Sequence, residues 1–304
     1  MLRGIALSEP PADYALHNND GWWGPVTSSI DWCEHNYVVT PYVAEFFNAT
    51  SNAIMVILGL LGALKAVRYG HERRFVVLYA CLALVGVGSL AFHGTLTHVG
   101  QQGDETPMIF LSCAWLYVCA FMPPSGEAAR RKAWTRGLVA FCAVFSVVHY
   151  VYRFVVSFQV SIAFFNLYQV WGILDLTQKS NDRAVKSVSH AYVFFLFAAF
   201  LLWNIDQHFC VSLYSLPHGV PNPQLHAWWH ILVSVAAHCG AVALEFFRAE
   251  RLRASSARGA PRIAWVGGVL PVCLLGDRMG APAAEGGLKL RRSPRLARQK
   301  TAGR

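Results

Sequence analysis

The sequence predicts an all-α integral membrane bundle of seven transmembrane helices, with its N-terminus luminal or extracellular and its C-terminus cytosolic. Three observations carry this. Hydrophobic residues make up 55% of the 304 residues and charged residues only 14%, whereas a soluble domain is about one quarter charged. The apolar residues gather into runs long enough to cross a bilayer, which takes about 20 residues each. The basic residues between those runs alternate strictly, a rich loop following a poor one, and the positive-inside rule turns that alternation into an orientation. The net charge of +9 is therefore an expression of topology, and nucleic acid is not an expected partner.

Taken in order, residues 1–43 form an acidic luminal leader in which Asp13, Asp20, Asp31 and Glu34 outnumber Arg3. Glu9, Pro10, Pro11 and Asp13 interrupt its start, so no signal peptide is expected. The membrane domain is expected over residues 44–248. Its spans run from about Ala44 to Leu64, Phe75 to His93, Glu105 to Met122, Gly137 to Tyr152, Phe154 to Leu176 and Val188 to His208, with a seventh from Leu225. Lys65 to Arg74, Arg130 to Arg136 and Lys179 to Lys186 supply the basic loops, while 94–102 and 209–225 hold no Lys or Arg. Residues 263–275 are apolar but too short to cross, and an interfacial position is expected. Residues 249–304 form a basic cytosolic tail expected to be disordered, with Lys289 to Arg304 suited to touching anionic lipid. The sequon at Asn48 falls inside the first span and should not be glycosylated.

Most cysteines lie in spans, where they act as small apolar packing residues. Cys33 and Cys210 differ, because both fall in segments that the charge rule puts outside the cytosol, where a disulfide persists. The two are expected to be bridged, tying the leader to the loop before the last span.

Topology also sorts the polar residues by depth. His226 and His230 are four apart on one helical face, about 5–6 Å between Cβ atoms, and alone are as well suited to interhelical hydrogen bonds as to metal binding. His93 and Asp104 join them in the same luminal layer, and Ser89 lies one turn below His93. Three histidines with an open fourth position form the pattern of catalytic zinc; haem, another metal or a purely structural network remain alternatives. Asp31, Glu34, Asn36 and Glu45 are a second, oxygen-rich set. It suits calcium, or is an ordinary acidic cap.

The run Asp31-Trp32-Cys33-Glu34-x-Asn36-Tyr37, then Ala44-Glu45-Phe46-x-Asn48-x-x-Ser51-Asn52, Gly88-Ser89-x-x-Phe92-His93, Asp104-Glu105-x-Pro107-Met108, Trp203-Asn204-Ile205-Asp206, Phe209-Cys210 and Leu225-His226-Ala227-Trp228-Trp229-His230 resembles the alkaline ceramidase family, in order and at family spacing, over about residues 20–250. That family is distantly similar to the adiponectin receptors. The resemblance implies hydrolysis of the ceramide amide bond to sphingosine and a free fatty acid. It implies zinc held by His93, His226 and His230, catalytic roles for Ser89 and Asp104, and calcium held by Asp31, the Trp32 carbonyl, Glu34, Asn36 and Glu45. The Cys33–Cys210 pair falls where the family has its disulfide. The substrate would be a bilayer lipid, and the location endoplasmic reticulum or Golgi. Leu111 stands where some members carry a polar residue, and the chain from about Gly259 shows little resemblance. The rival expectations are a seven-span receptor of adiponectin-receptor type with a structural or weakly hydrolytic zinc site, and a histidine-ligated haem oxidoreductase.

Overall fold

A computed structural model describes residues 21–122, 128–217, 220–254 and 259–276. Asp13 and Asp20 of the leader, and the tail from Lys289, lie outside the described residues. Helices dominate: α1 (Phe46–Ser51), α2 (Ala53–Tyr69), α3 (Arg73–Thr95), α4 (His98–Ala120), α5 (Ala128–Tyr152), α6 (Val155–Lys179), α7 (Arg183–His208), α8 (Cys210–Tyr214) and α9 (Leu225–Ala254), followed by strands β1 (Arg262–Val266) and β2 (Leu270–Leu274).

Local chemistry sets the helix ends. Gly70 takes the left-handed conformation, φ 78°, that closes α2 without a Cβ penalty. Thr97 accepts from Gly100 N to cap α4, and Asp182 accepts from Val185 N at 2.9 Å to cap α7. The start of α1 is capped from a distance, since the Glu34 carboxylate accepts from Phe47 N at 2.7 Å and Asn48 N at 2.8 Å. A carboxylate there also meets the positive end of the helix.

Six helices are long and apolar enough to cross a membrane: the α1–α2 pair (Phe46–Tyr69), α3, α5, α6, α7 and α9. The helix missing from that set is α4, in the expected third span. It starts at His98 rather than Glu105, and its first turns carry Gln101, Gln102, Asp104 and Glu105. Its 23 residues match α3 in length. Gln101, Gln102 and Glu105 are buried within the protein, so polarity that lowers its hydropathy is not presented outward.

Among the helices α9 is central, touching α1, α2, α3, α6 and α7 and burying Ala241 to Phe247 without a break. Its neighbour α3 packs between α2 and α4. Side chains such as Val144, Phe164, Leu167 and Phe197 point away from the bundle and are strongly exposed, as a surface solvated by lipid requires. At the end of the bundle away from the leader, Arg248 holds Glu72 through Nη2 at 2.8 Å and donates to Met122 O, while Arg74 donates to Phe121 O. This clasp ties α3, α4 and α9 together.

The segment expected at an interface is an antiparallel hairpin, with Ile263 opposite Cys273 and Val266 opposite Leu270. Gly267 and Gly268, both at positive φ, make its turn. His238 Nε2 meets Pro271 O at 3.0 Å and His71 Nε2 meets Cys273 O at 2.9 Å, so the hairpin docks on the bundle and buries Val272 and Cys273.

Candidate active site and metal centre

His226 and His230 occupy the first two turns of α9, and His93 the last turn of α3. Several contacts hold α9 there. Asp206 at the end of α7 accepts from His226 N at 3.2 Å and from Cys33 N at 3.4 Å, while Cys33 is bonded to Cys210 with Cα atoms 5.4 Å apart. Leader, α7 and α9 thus meet at one point. Three ligand atoms, one from each histidine, lie within 4.8 Å of one another, and all three side chains are buried.

Second contacts decide which nitrogens face each other. His93 Nδ1 bonds the Glu45 carboxylate, which leaves Nε2 with its lone pair. His230 Nδ1 lies 2.9 Å from Ser51 Oγ, and because that hydroxyl donates to Asn48 O it accepts the Nδ1 proton, freeing Nε2 in turn. His226 Nδ1 is buried with no hydrogen-bond partner among the described residues. Its ring is covered by the Trp32 indole, with centroids 3.7 Å apart and planes at 21°. Three neutral imidazoles converging in a buried place, none bonded to another, are a donor set that fits a metal ion.

Beside the trio, Ser89 of α3 lies near Asp104 of α4. The two helices approach closely enough for this because residue 88 is glycine: a Cβ there would come within 1.8 Å of Gly103 O. Asp104 is not one of the three converging ligands; it stands on the neighbouring helix α4.

The acidic leader set is arranged differently. Asn36 Nδ2 bonds both Asp31 oxygens at 3.3 and 3.2 Å, Glu45 Oε1 accepts from Trp32 N at 3.0 Å, and Glu34 is occupied by the α1 backbone. Asn36 Oδ1 is buried without a partner among the described residues. The carboxylates of Asp31, Glu34 and Glu45 do not meet as tightly as the histidines, which form the one such group among the described residues. Burial pushes the Glu34 carboxyl up to about 7 although two backbone N–H groups oppose the shift. Desolvation by the surrounding chain, then the charge of Glu45, moves the Asp31 carboxyl to about 7, even though part of that residue meets solvent. Oxygen donors crowded in this way fit a hard cation.

A family model described as Ceramidase matches residues 24–273. The chain belongs to the ceramidase family. The match reaches past Gly259 and into the second strand of the hairpin, further than the motif resemblance extended. Relatives within this family include the alkaline ceramidase of Arabidopsis thaliana, 34% identical over 251 residues that make up 82% of this chain and 93% of the relative. Alkaline ceramidase 3 of Mus musculus is 36% identical over 241 residues, 72% of this chain and 83% of that one. Alkaline ceramidase YPC1 of Saccharomyces cerevisiae is 32% identical over 268 residues, 80% and 84% of the two chains.

Four contacts around the histidine trio were not assigned from sequence: the Trp32 ring on His226, Ser51 and Asn52 near His230 Nδ1, and Asp206 on the first turn of α9. Asn48, Ser51 and Asn52 could have been found, since polar residues three and four apart in an otherwise apolar helix mark one buried face.

Proposed function

We propose that the chain hydrolyses the amide bond of ceramide within the membrane, releasing sphingosine and a free fatty acid, with zinc held by His93, His226 and His230. The observation that carries this is the buried histidine trio beside the Ser89–Asp104 pair at one end of an apolar bundle. Zinc bound there would polarise the amide carbonyl and make a water molecule more acidic.

The residues of the chain do the rest. Asp104 is placed to take the proton of the attacking water and later to return it to the departing amine, as a general base and then acid. Ser89 lies near Asp104 and is placed to orient its carboxylate; rotation about Cα–Cβ would let the same hydroxyl donate to the oxygen that gains negative charge. Removing such a donor typically costs about 2.7–4 kcal/mol. Glu45 and Ser51 fix the imidazole orientations of His93 and His230, and Trp32 covers the layer from the leader side. The apolar outer faces let a two-chain lipid reach the layer from the bilayer.

The proposed topology has seven spans, N-terminus luminal and C-terminus cytosolic, in the endoplasmic reticulum or Golgi. Supporting α4 as the seventh crossing helix are its length, the burial of its polar turns and the charge alternation of the loops. Calcium is proposed at Asp31, the Trp32 carbonyl, Glu34, Asn36 and Glu45, where it would fasten the leader over α1. The unsatisfied Asn36 Oδ1 and the raised carboxyls of Asp31 and Glu34 support it.

Metal analysis and product detection on purified protein with defined ceramides test this reading, repeated for Asp104→Ala. One zinc per chain, sphingosine release and a loss of at least about 100-fold in the variant, the lower end of general acid–base contributions, are expected. Full activity after removal of zinc would end the proposal.

A further inference from the structure

Glu105, which follows Asp104, is buried in the same layer and has no part in the chemistry above. Its Oε1 accepts from Gln101 Nε2 at 3.0 Å, and its Oε2 meets His149 Nε2 at 2.5 Å and Gln102 Nε2 at 3.4 Å. His149 belongs to α5, a helix whose described side chains otherwise face outward or lie half-buried; it is the one buried residue there. Phe145, Phe154 and Phe158 enclose the imidazole, which stacks on Phe158 at 5.1 Å with planes within 14°. An imidazole among phenyl rings is costly to bury unless its nitrogen is used. Here Nε2 is used on the neighbour of Asp104, while Nδ1 is buried with no hydrogen-bond partner among the described residues.

The turn that carries Asp104 needs an external hold. Pro107 lies inside α4 and lacks the N–H that would bond the Gly103 carbonyl, so the backbone ladder is broken over that turn. Side chains must orient it instead. From one side the leader takes hold, since Ser29 N donates to Gln101 Oε1 at 2.7 Å. From the other side the hold is His149.

We propose that His149 is a positioning residue for the hydrolytic reaction: through Glu105 it fixes the weakened turn of α4, so that Asp104 faces Ser89 and the histidine trio. This rests on the hydrolytic function proposed above. It gives α5, otherwise a lipid-facing helix, a specific role in catalysis without contact with the reacting atoms.

The test uses the full-length, zinc-loaded protein. H149F fills the aromatic enclosure and removes the nitrogen; kcat for a defined ceramide should fall about 10- to 100-fold, the scale of an ångström-sized misplacement, with KM and bound zinc unchanged. Amide exchange over residues 100–106 should quicken. H149Q, whose amide can donate to Glu105, should recover kcat to within about threefold, since the hold is restored. A kcat per folded molecule that stays at the wild-type value in H149F, or a loss that H149Q does not recover, overturns the proposal. H149F also takes one hydrogen-bond partner from the buried carboxyl of Glu105, which is destabilising. The double variant E105Q/H149F replaces that carboxyl by an amide and lacks the hold as well, so it should fold and show the same loss of kcat; wild-type kcat in the double variant overturns the role as well. Wild-type protein that cleaves no ceramide would overturn the proposed function itself, whereas active wild-type protein with indifferent variants overturns only the role of His149.

Discussion

The indole of Trp32 stacks on the imidazole of His226 at 3.7 Å, so a residue of the leader forms one wall of the histidine trio. An aromatic pair of this kind is worth about 0.5–1.5 kcal/mol beyond its area. Trp32→Leu should therefore release bound metal about three- to tenfold more readily, read by competition with a chelator. Unchanged retention would show that the stack only packs the leader.

Glu45 reaches two places at once, with Oε2 on His93 Nδ1 and Oε1 on Trp32 N. Partners of this kind set the tautomer of a ligand, and losing one typically costs about 10- to 100-fold in metal affinity. Glu45→Ala should show that loss together with increased proteolysis of the leader. Glu45→Gln keeps an acceptor for His93 and should fall in between. Equal zinc affinity in all three proteins would remove Glu45 from the metal site.

The leader carboxyls make calcium-free protein sensitive to pH. Glu34 is raised from 4.5 to about 7, so between those values the folded state binds more protons than the unfolded chain, and stability falls as pH rises through the window. At about 1.4 kcal/mol per unit, the loss from Glu34 is about 3 kcal/mol. Asp31 shifts in the same direction. Calcium competes with those protons, so its affinity should increase from pH 6 to 8 and the fall in melting temperature should vanish when it is bound. A calcium-free melting temperature that rises across pH 5–7 contradicts this.

Gly88→Ala puts a methyl carbon 1.8 Å from Gly103 O, which forces α3 and α4 apart at Ser89 and Asp104. Overpacking costs about 1–3 kcal/mol, and misalignment of the pair should lower kcat about 100-fold. Calorimetry and turnover read the two effects separately. Wild-type turnover in the variant would mean that Ser89 and Asp104 need not touch.

Much of this arrangement is legible in the chain itself. Apolar runs and alternating charge mark the membrane helices because lipid and the membrane field act on composition. Charge alternation and depth single out His93, Asp104, His226 and His230, each an ionisable residue where burial is costly, and the same charge rule sets Cys33 and Cys210 apart from the other cysteines. The boundary of α4 was less legible, because buried glutamines and carboxylates lower its hydropathy without facing lipid. The hairpin at 262–274 was missed for a similar reason: its strands are short, and its fold comes from docking against His71 and His238 rather than from its own periodicity.

The sequence by itself determined which residues can bind metal, which helices can cross and which cysteines can pair, since these follow from chemical type and spacing along one element. Tertiary structure alone decided what each of those residues touches: Glu45 on His93, Ser51 on His230, Trp32 over His226 and His149 on Glu105. Those contacts join residues 44 to 194 positions apart in sequence, and no periodicity within one helix reports which face of another it will meet. For His226 and His230 the consequence is specific. Spacing made them a pair, and the fold of α3 brought His93 to within reach as the third.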